Sequence, residues 1–79
     1  MMTYNVKARY ENAVIDFGTH DINVAIEALF DYVETGAQVD VWSGITGEVM
    51  VSVNCEEPFV TDEWSLLILG WLMSNTWGE

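Results

Sequence analysis

The feature that most constrains this chain is its apolar C-terminal segment, Trp64-Ser-Leu-Leu-Ile-Leu-Gly-Trp-Leu-Met73, introduced by Thr61-Asp62-Glu63. Trp64, Leu67, Ile68, Trp71 and Leu72 recur at i, i+3, i+4, i+7 and i+8, the spacing of one face of a 3.6-residue helix. Everything upstream has to supply a surface that covers this face. Leu66, Leu69 and Met73 form a second apolar row, so a single flat sheet cannot hide the whole helix. The remainder needs cover from another part of the chain or from another chain.

The upstream segments supply strands and one more helix. Residues 3 to 10 alternate, with Tyr4, Val6, Ala8 and Tyr10 on one side and Thr3, Asn5, Lys7 and Arg9 on the other, which predicts a half-buried strand. Glu11-Asn12 reads as a tight turn, because Asn tolerates positive φ, and Ala13 to Phe17 as the return strand of a hairpin. Gly18-Thr19-His20-Asp21 breaks the pattern, and Thr19 or Asp21 is placed to cap a following helix. That helix is expected from about Ile22 to Thr35, with Ile22, Ala25, Ile26, Leu29, Phe30 and Val33 buried and Asn23, Glu27, Asp31 and Glu34 outside. Gly36 stands where a left-handed C-cap ends it.

Gln38 to Trp42 and Glu48 to Val53 are β-branched strands joined by the glycine-bearing loop Ser43 to Gly47. Val49, Val51 and Val53 are expected on one face, Met50 and Ser52 on the other. Asn54 to Pro58 forms a loop, and Thr61 caps the last helix with Asp62 and Glu63 in its first turn, where the macrodipole favours anions. The tail Asn75 to Glu79 is expected to fray, with Trp77 free to tuck back. The order ββαββα predicts an α+β fold of two layers, a four-stranded, mainly antiparallel sheet with two helices on one face, in one domain over residues 1–79.

At 79 residues, folding removes only about 60% of the unfolded surface from water, so stability should be modest. A hydrophobic fraction of 51% still argues for a folded chain. The charge is more decisive: 13 Asp and Glu against 2 Lys and Arg give a net of -11. Such a field repels nucleic acid and anionic membrane and attracts basic protein surfaces. Cys55 is the only cysteine, the N-terminus has no apolar signal core, and the longest apolar run is about half of a bilayer span, so an intracellular protein is expected.

The residues offer little to catalysis. There is one His and one Cys, with no activated-nucleophile motif, Walker loop or dinucleotide fingerprint. His20 and Cys55 can be imagined as a base and thiol pair, but the plainer reading is a helix entrance and a strand end. Glu56, Glu57, Asp62 and Glu63 lie close together without the alternation around a glycine bend that calcium loops use, and loop solvation explains them as well. No catalytic residue, metal or cofactor is expected.

Two surpluses remain. Carboxylates at Glu27, Asp31 and Glu34 lie about 5 to 6 Å apart by helix geometry, comparable to phosphates along a strand, and Asp16, Asp40, Glu48, Glu56 and Glu57 extend the array. Such a surface suits a site built for DNA or RNA. A solubilising face is the alternative, although a small domain needs a net charge of only about 2 to 8 in magnitude for that. The second surplus is aromatic: Trp64 and Trp71 read as core, whereas Trp42 and Trp77 are candidates for a partner or a self-interface. Leu66, Leu69, Met73 and Trp77 together point to a homodimer.

The short acidic chain, its strand pair and acidic helix, and a second hairpin carrying Asp40-Val-Trp-Ser-Gly-Ile-Thr-Gly-Glu-Val49 resemble the small proteins encoded by phages and mobile elements. In type the chain is similar to anti-CRISPR and anti-restriction inhibitors. The resemblance covers size, charge and layout and transfers no individual residue. It implies a non-enzymatic inhibitor, in the cytoplasm of a bacterial host, that blocks a Cas effector or other defence nuclease by mimicking DNA. Other inhibitors of this type dimerise or clamp the effector instead. The partner-binding set is then Glu27, Asp31, Glu34, Asp40, Trp42, Glu48, Glu56 and Glu57. A small homodimeric structural or assembly module built on the C-terminal helix is the alternative, and an enzyme using Cys55 and His20 a third.

Overall fold

The computed structural model describes residues 2–77, with side chains described through Ser74. Five strands and two helices follow in the order β1 (Tyr4–Arg9), β2 (Val14–Thr19), α1 (Ile22–Glu34), β3 (Gln38–Ser43), β4 (Val49–Val53), β5 (Phe59–Val60) and α2 (Asp62–Trp77). The fold is α+β, as the alternation patterns predicted, but the sheet has five strands rather than four. All its pairings are antiparallel, in the order β2-β1-β3-β4-β5. The fifth strand is a two-residue segment directly after Pro58, with Val60 opposite Val51 and Phe59 opposite Ser52. It is too short to show a period of two in the sequence.

The β1–β2 turn lies at Glu11-Asn12, closed by the Tyr10 amide donating to the Ala13 carbonyl at 2.8 Å. Asn12 does not adopt positive φ; Asn54, at φ 58°, is the non-glycine residue that does among the described residues. β2 continues through Gly18 and Thr19, which were expected to break it, because Gly18 pairs with Asn5 and Thr19 with Tyr4. A Cβ at Gly18 would stand 3.0 Å from the Asn5 side-chain oxygen. That neighbour is the end of a flexible side chain, and Gly18 is a paired strand residue rather than a chain break.

Asp21 caps α1, its carboxylate accepting from the Asn23 amide at 2.9 Å, while Thr19 Oγ1 accepts from the Asp21 amide. At the other end Gly36 has φ 90°. Its amide donates to the Val33 carbonyl and the Ala37 amide to the Tyr32 carbonyl, both at 3.0 Å, the paired 5→2 and 6→1 bonds of a Schellman ending. The turn delivers Ala37, fully buried, into β3.

Both helices cover one face of the sheet. Val6, Ala8, Val39, Val41 and Val51 are buried beneath Ala25, Ile26 and Leu29 of α1 and Trp64 of α2. Thr61 caps α2 as expected, its Oγ1 accepting from the Trp64 amide. Trp64 is 1% exposed, and Trp71 stacks on Phe30 with centroids 4.8 Å apart. Leu67 and Ile68 are half-buried against the core, but Leu72, assigned to the inward face, is exposed. The tail does not leave the helix at Asn75: α2 continues through Trp77. A bulge between Val41 and Trp42 sets Val51 opposite Val41 and Val49 opposite Trp42. Val49 is consequently exposed while Val51 is buried, and the expected common face of Val49, Val51 and Val53 is broken.

Candidate interaction surfaces

The uncovered face of the sheet is built by the alternate residues of each strand. One row crosses all five strands as Asp16, Lys7, Asp40, Ser52 and Phe59. A second sets Gly18, Asn5, Trp42 and Val49 side by side. The chain's two basic residues therefore both belong to β1 and both face this side. Lys7 stands between two aspartates, and Arg9 reaches Asp40 at 4.0 Å. Asp40 also accepts a 2.6 Å hydrogen bond from Ser52, whose hydroxyl lies 3.4 Å from the Cys55 sulfur. Asp40 is thus engaged inside its own sheet, and Trp42 is half-buried beside it.

Glu27, Asp31 and Glu34 lie on the other side of the molecule, exposed on the outer face of α1. No cation shares that helix, and among the described residues none of the three forms an ion pair. Glu56 and Glu57 are exposed in the β4–β5 loop. That loop is held to the C-terminal end of α1 by the Asn54 side-chain amide, which donates to the Ala37 carbonyl at 2.9 Å. Glu34 and this glutamate pair therefore share one end of the molecule. Glu48 is exposed at the opposite end, in the β3–β4 connection, where its carbonyl accepts from the Ser43 amide. The set assembled from sequence is split: the helix acids lie on one side, and Asp40 with Trp42 on the other.

His20 and Cys55 are also far apart in the topology. The His20 Nδ1 lies 3.1 Å from the Met2 carbonyl at the start of β1, beside the outer strand β2. Cys55 follows β4 at the other end of the ladder. Among the described residues, no three His, Cys, Asp or Glu side chains converge in a metal-binding group.

The apolar surface of α2 is the feature that amphipathic reasoning only half resolved. Leu66, Leu69 and Met73 are 71%, 54% and 53% exposed. The Trp77 side chain, assigned to the same surface, lies outside the described residues. The inner side is not fully closed either, since an apolar cleft of about 240 Å³ runs between the helices and the sheet edge, lined by Leu29, Phe30, Val33, Val51, Val53, Val60 and Ile68. A second cleft, of about 320 Å³, has Glu48 and Glu63 at its rim with Met50, Phe59 and Trp64 among its lining. Phe59, exposed on the open sheet face, was not singled out from sequence; a phenylalanine just after a proline in a short loop gives no periodicity to read.

Set against known protein families, curated proteins and solved structures, the chain matches none of them. Among the described residues no helix is long and apolar enough to cross a membrane.

Proposed function

We propose that this chain is a non-enzymatic protein inhibitor of the kind carried by phages and mobile elements. Its acidic α1 face docks on the Arg and Lys side chains of a nucleic-acid-binding defence enzyme and blocks nucleic-acid binding. The observation that carries this reading is the segregation of charge. Lys7 and Arg9 are confined to the uncovered sheet face beside Asp16 and Asp40, which leaves Glu27, Asp31 and Glu34 as an exposed row with no counter-charge of its own. Carboxylates at helical spacing offer a basic channel the charge pattern it meets on a phosphate backbone. Glu56 and Glu57 lie at the same end of the molecule as Glu34, whereas Asp40 and Trp42 face away from the row and take no part in the same contact.

The test is competition. The protein is added to a panel of Cas effectors and restriction enzymes, and DNA binding is recorded at low and high salt. Loss of DNA binding that salt relieves supports the reading, because charge-driven docking weakens with ionic strength. An inhibitor that keeps its potency after Glu27, Asp31 and Glu34 are all changed to Lys uses a different surface.

A further inference from the structure

The two edges of the sheet are finished differently. β5 is two residues long and follows Pro58 directly, so it offers another chain almost nothing to pair with. β2 ends the opposite side with six residues, in unbroken register with β1 and without a proline, a bulge or a basic side chain. Among the described residues nothing pairs with its outer side. The phase of the ladder identifies the groups left there. The Tyr10 amide donates to the Ala13 carbonyl and the Gly44 amide to the Thr3 carbonyl, and bonded pairs alternate along an antiparallel ladder. Ala13, Ile15, Phe17 and Thr19 therefore bond to β1, while Val14, Asp16 and Gly18 turn their amides and carbonyls outward. The side chains continue the pattern. Ile15 and Phe17, opposite Ala8 and Val6, lie on the helix side of the sheet, yet Ile15 is 42% exposed and Phe17 only half-buried. Asp16 is exposed on the uncovered face and forms no ion pair among the described residues.

We infer that β2 accepts an extended segment of a basic partner protein as an added strand, with Lys or Arg opposite Asp16 and apolar side chains opposite Ile15 and Phe17. The free backbone groups select an extended chain, which gains main-chain hydrogen bonds by lengthening the sheet. Asp16 selects the charge of that chain. A second copy pairing antiparallel through β2, in the register that engages Val14, Asp16 and Gly18 together, would set Asp16 directly against Asp16 of the other copy. Like charges directly opposite are destabilising, and the net charge of -11 on each chain adds to the repulsion. A cation in that place is favoured on both counts. This contact uses none of Glu27, Asp31 and Glu34 and stands whether or not the acidic helix face binds an enzyme.

The probe is a synthetic peptide that alternates valine and lysine, added to the isotope-labelled full chain while amide hydrogen exchange is followed by nuclear magnetic resonance. The expected result is exchange slowed by roughly tenfold or more at Val14, Asp16 and Gly18, the amides that gain acceptors. A peptide with glutamate in place of lysine should bind at least about tenfold more weakly. The lysine peptide methylated on alternate backbone nitrogens keeps its charge but loses its donors, and should bind more weakly by a similar factor. Asp16→Lys, at an exposed position, should leave the circular dichroism unchanged and narrow the preference for lysine by about threefold to tenfold. No binding at millimolar peptide overturns the proposal, as does binding indifferent to backbone methylation or protection that maps to another element. Protection of the same three amides without peptide, growing with protein concentration, would assign the edge to a second copy instead. Reversing Glu27, Asp31 and Glu34 to Lys should leave the protection at β2 in place. If protection is lost in that variant, the peptide sits on the acidic face and the strand-addition proposal fails alone.

Discussion

The ring of Trp64 stands edge-on to that of Tyr4, with centroids 5.8 Å apart and planes inclined by 69°. The two rings tie the first strand to the last helix, elements that α1 and four further strands separate in the chain. Trp64 is also the largest fully buried side chain among the described residues. Trp64→Ala should therefore cost about 3 to 5 kcal/mol, a large share of the stability of so small a fold. Urea unfolding followed by circular dichroism measures it, and a Tyr4/Trp64 double-mutant cycle should return a coupling of about 0.5 to 1.5 kcal/mol.

Glycines 36 and 70 predict opposite outcomes for the same substitution. Gly36→Ala forces a Cβ onto φ 90° and should destabilise by about 1 kcal/mol or more. Gly70→Ala, in a helix with open space around it, should stabilise the monomer by up to about 1 kcal/mol. Melting temperatures of the two variants at a concentration that keeps the chain monomeric give the comparison directly.

The hydrogen bond from Ser52 to Asp40 holds a carboxylate that is only 18% exposed. Ser52→Ala removes that donor and should cost about 1 to 2 kcal/mol. Arg9→Ala should cost well under about 1 kcal/mol, since the Arg9 side chain is half exposed and its partner lies at the outer limit of an ion pair. Equal losses in the two variants, by denaturant unfolding, would contradict this ranking.

Added salt should raise the melting temperature. With 13 acids against 2 bases, self-repulsion opposes the compact state, and screening reduces it. A scan from low to moderate sodium chloride at fixed, dilute protein concentration gives the slope, and a flat or falling curve would show that the carboxylates are compensated in a way that the cation positions do not suggest.

Neutralising the outer face of α1 should separate binding from folding. Glu27→Gln, Asp31→Asn and Glu34→Gln together remove like charges one helical turn apart, and should leave stability unchanged or raise it by a few tenths of a kcal/mol. Binding to a basic enzyme surface should fall by on the order of 100-fold. Calorimetric melting and a competition assay on the same sample read the two quantities.

Much of this architecture was readable because the signals were periodic. The alternation from Tyr4 to Ala8 and the stripe Ile22, Ala25, Ile26 and Leu29 each reflect one buried face, and Asp21, Gly36 and Thr61 stand where caps are needed. The misses have physical causes as well. Gly18 looked like a breaker but pairs with Asn5 of the neighbouring strand, a tertiary contact with no local trace. β5 is too short to have a period, and the bulge at Trp42 moves Val49 out of the row its spacing implies. The acidic array was legible only as a composition. Which carboxylates share a side depends on topology, and that is why Asp40 and Glu27, grouped in sequence, lie on opposite sides.

The position of β1 inside the sheet has a consequence for how the chain comes off the ribosome. β1 pairs at once with β2, but its other edge waits for β3, which emerges only after the whole of α1. Until then the nascent hairpin presents an open row of backbone donors and acceptors, with Val6 and Ala8 uncovered on its apolar side. A chain stopped near Gly36 would be left in that condition for good. Such fragments should be sticky rather than half-functional.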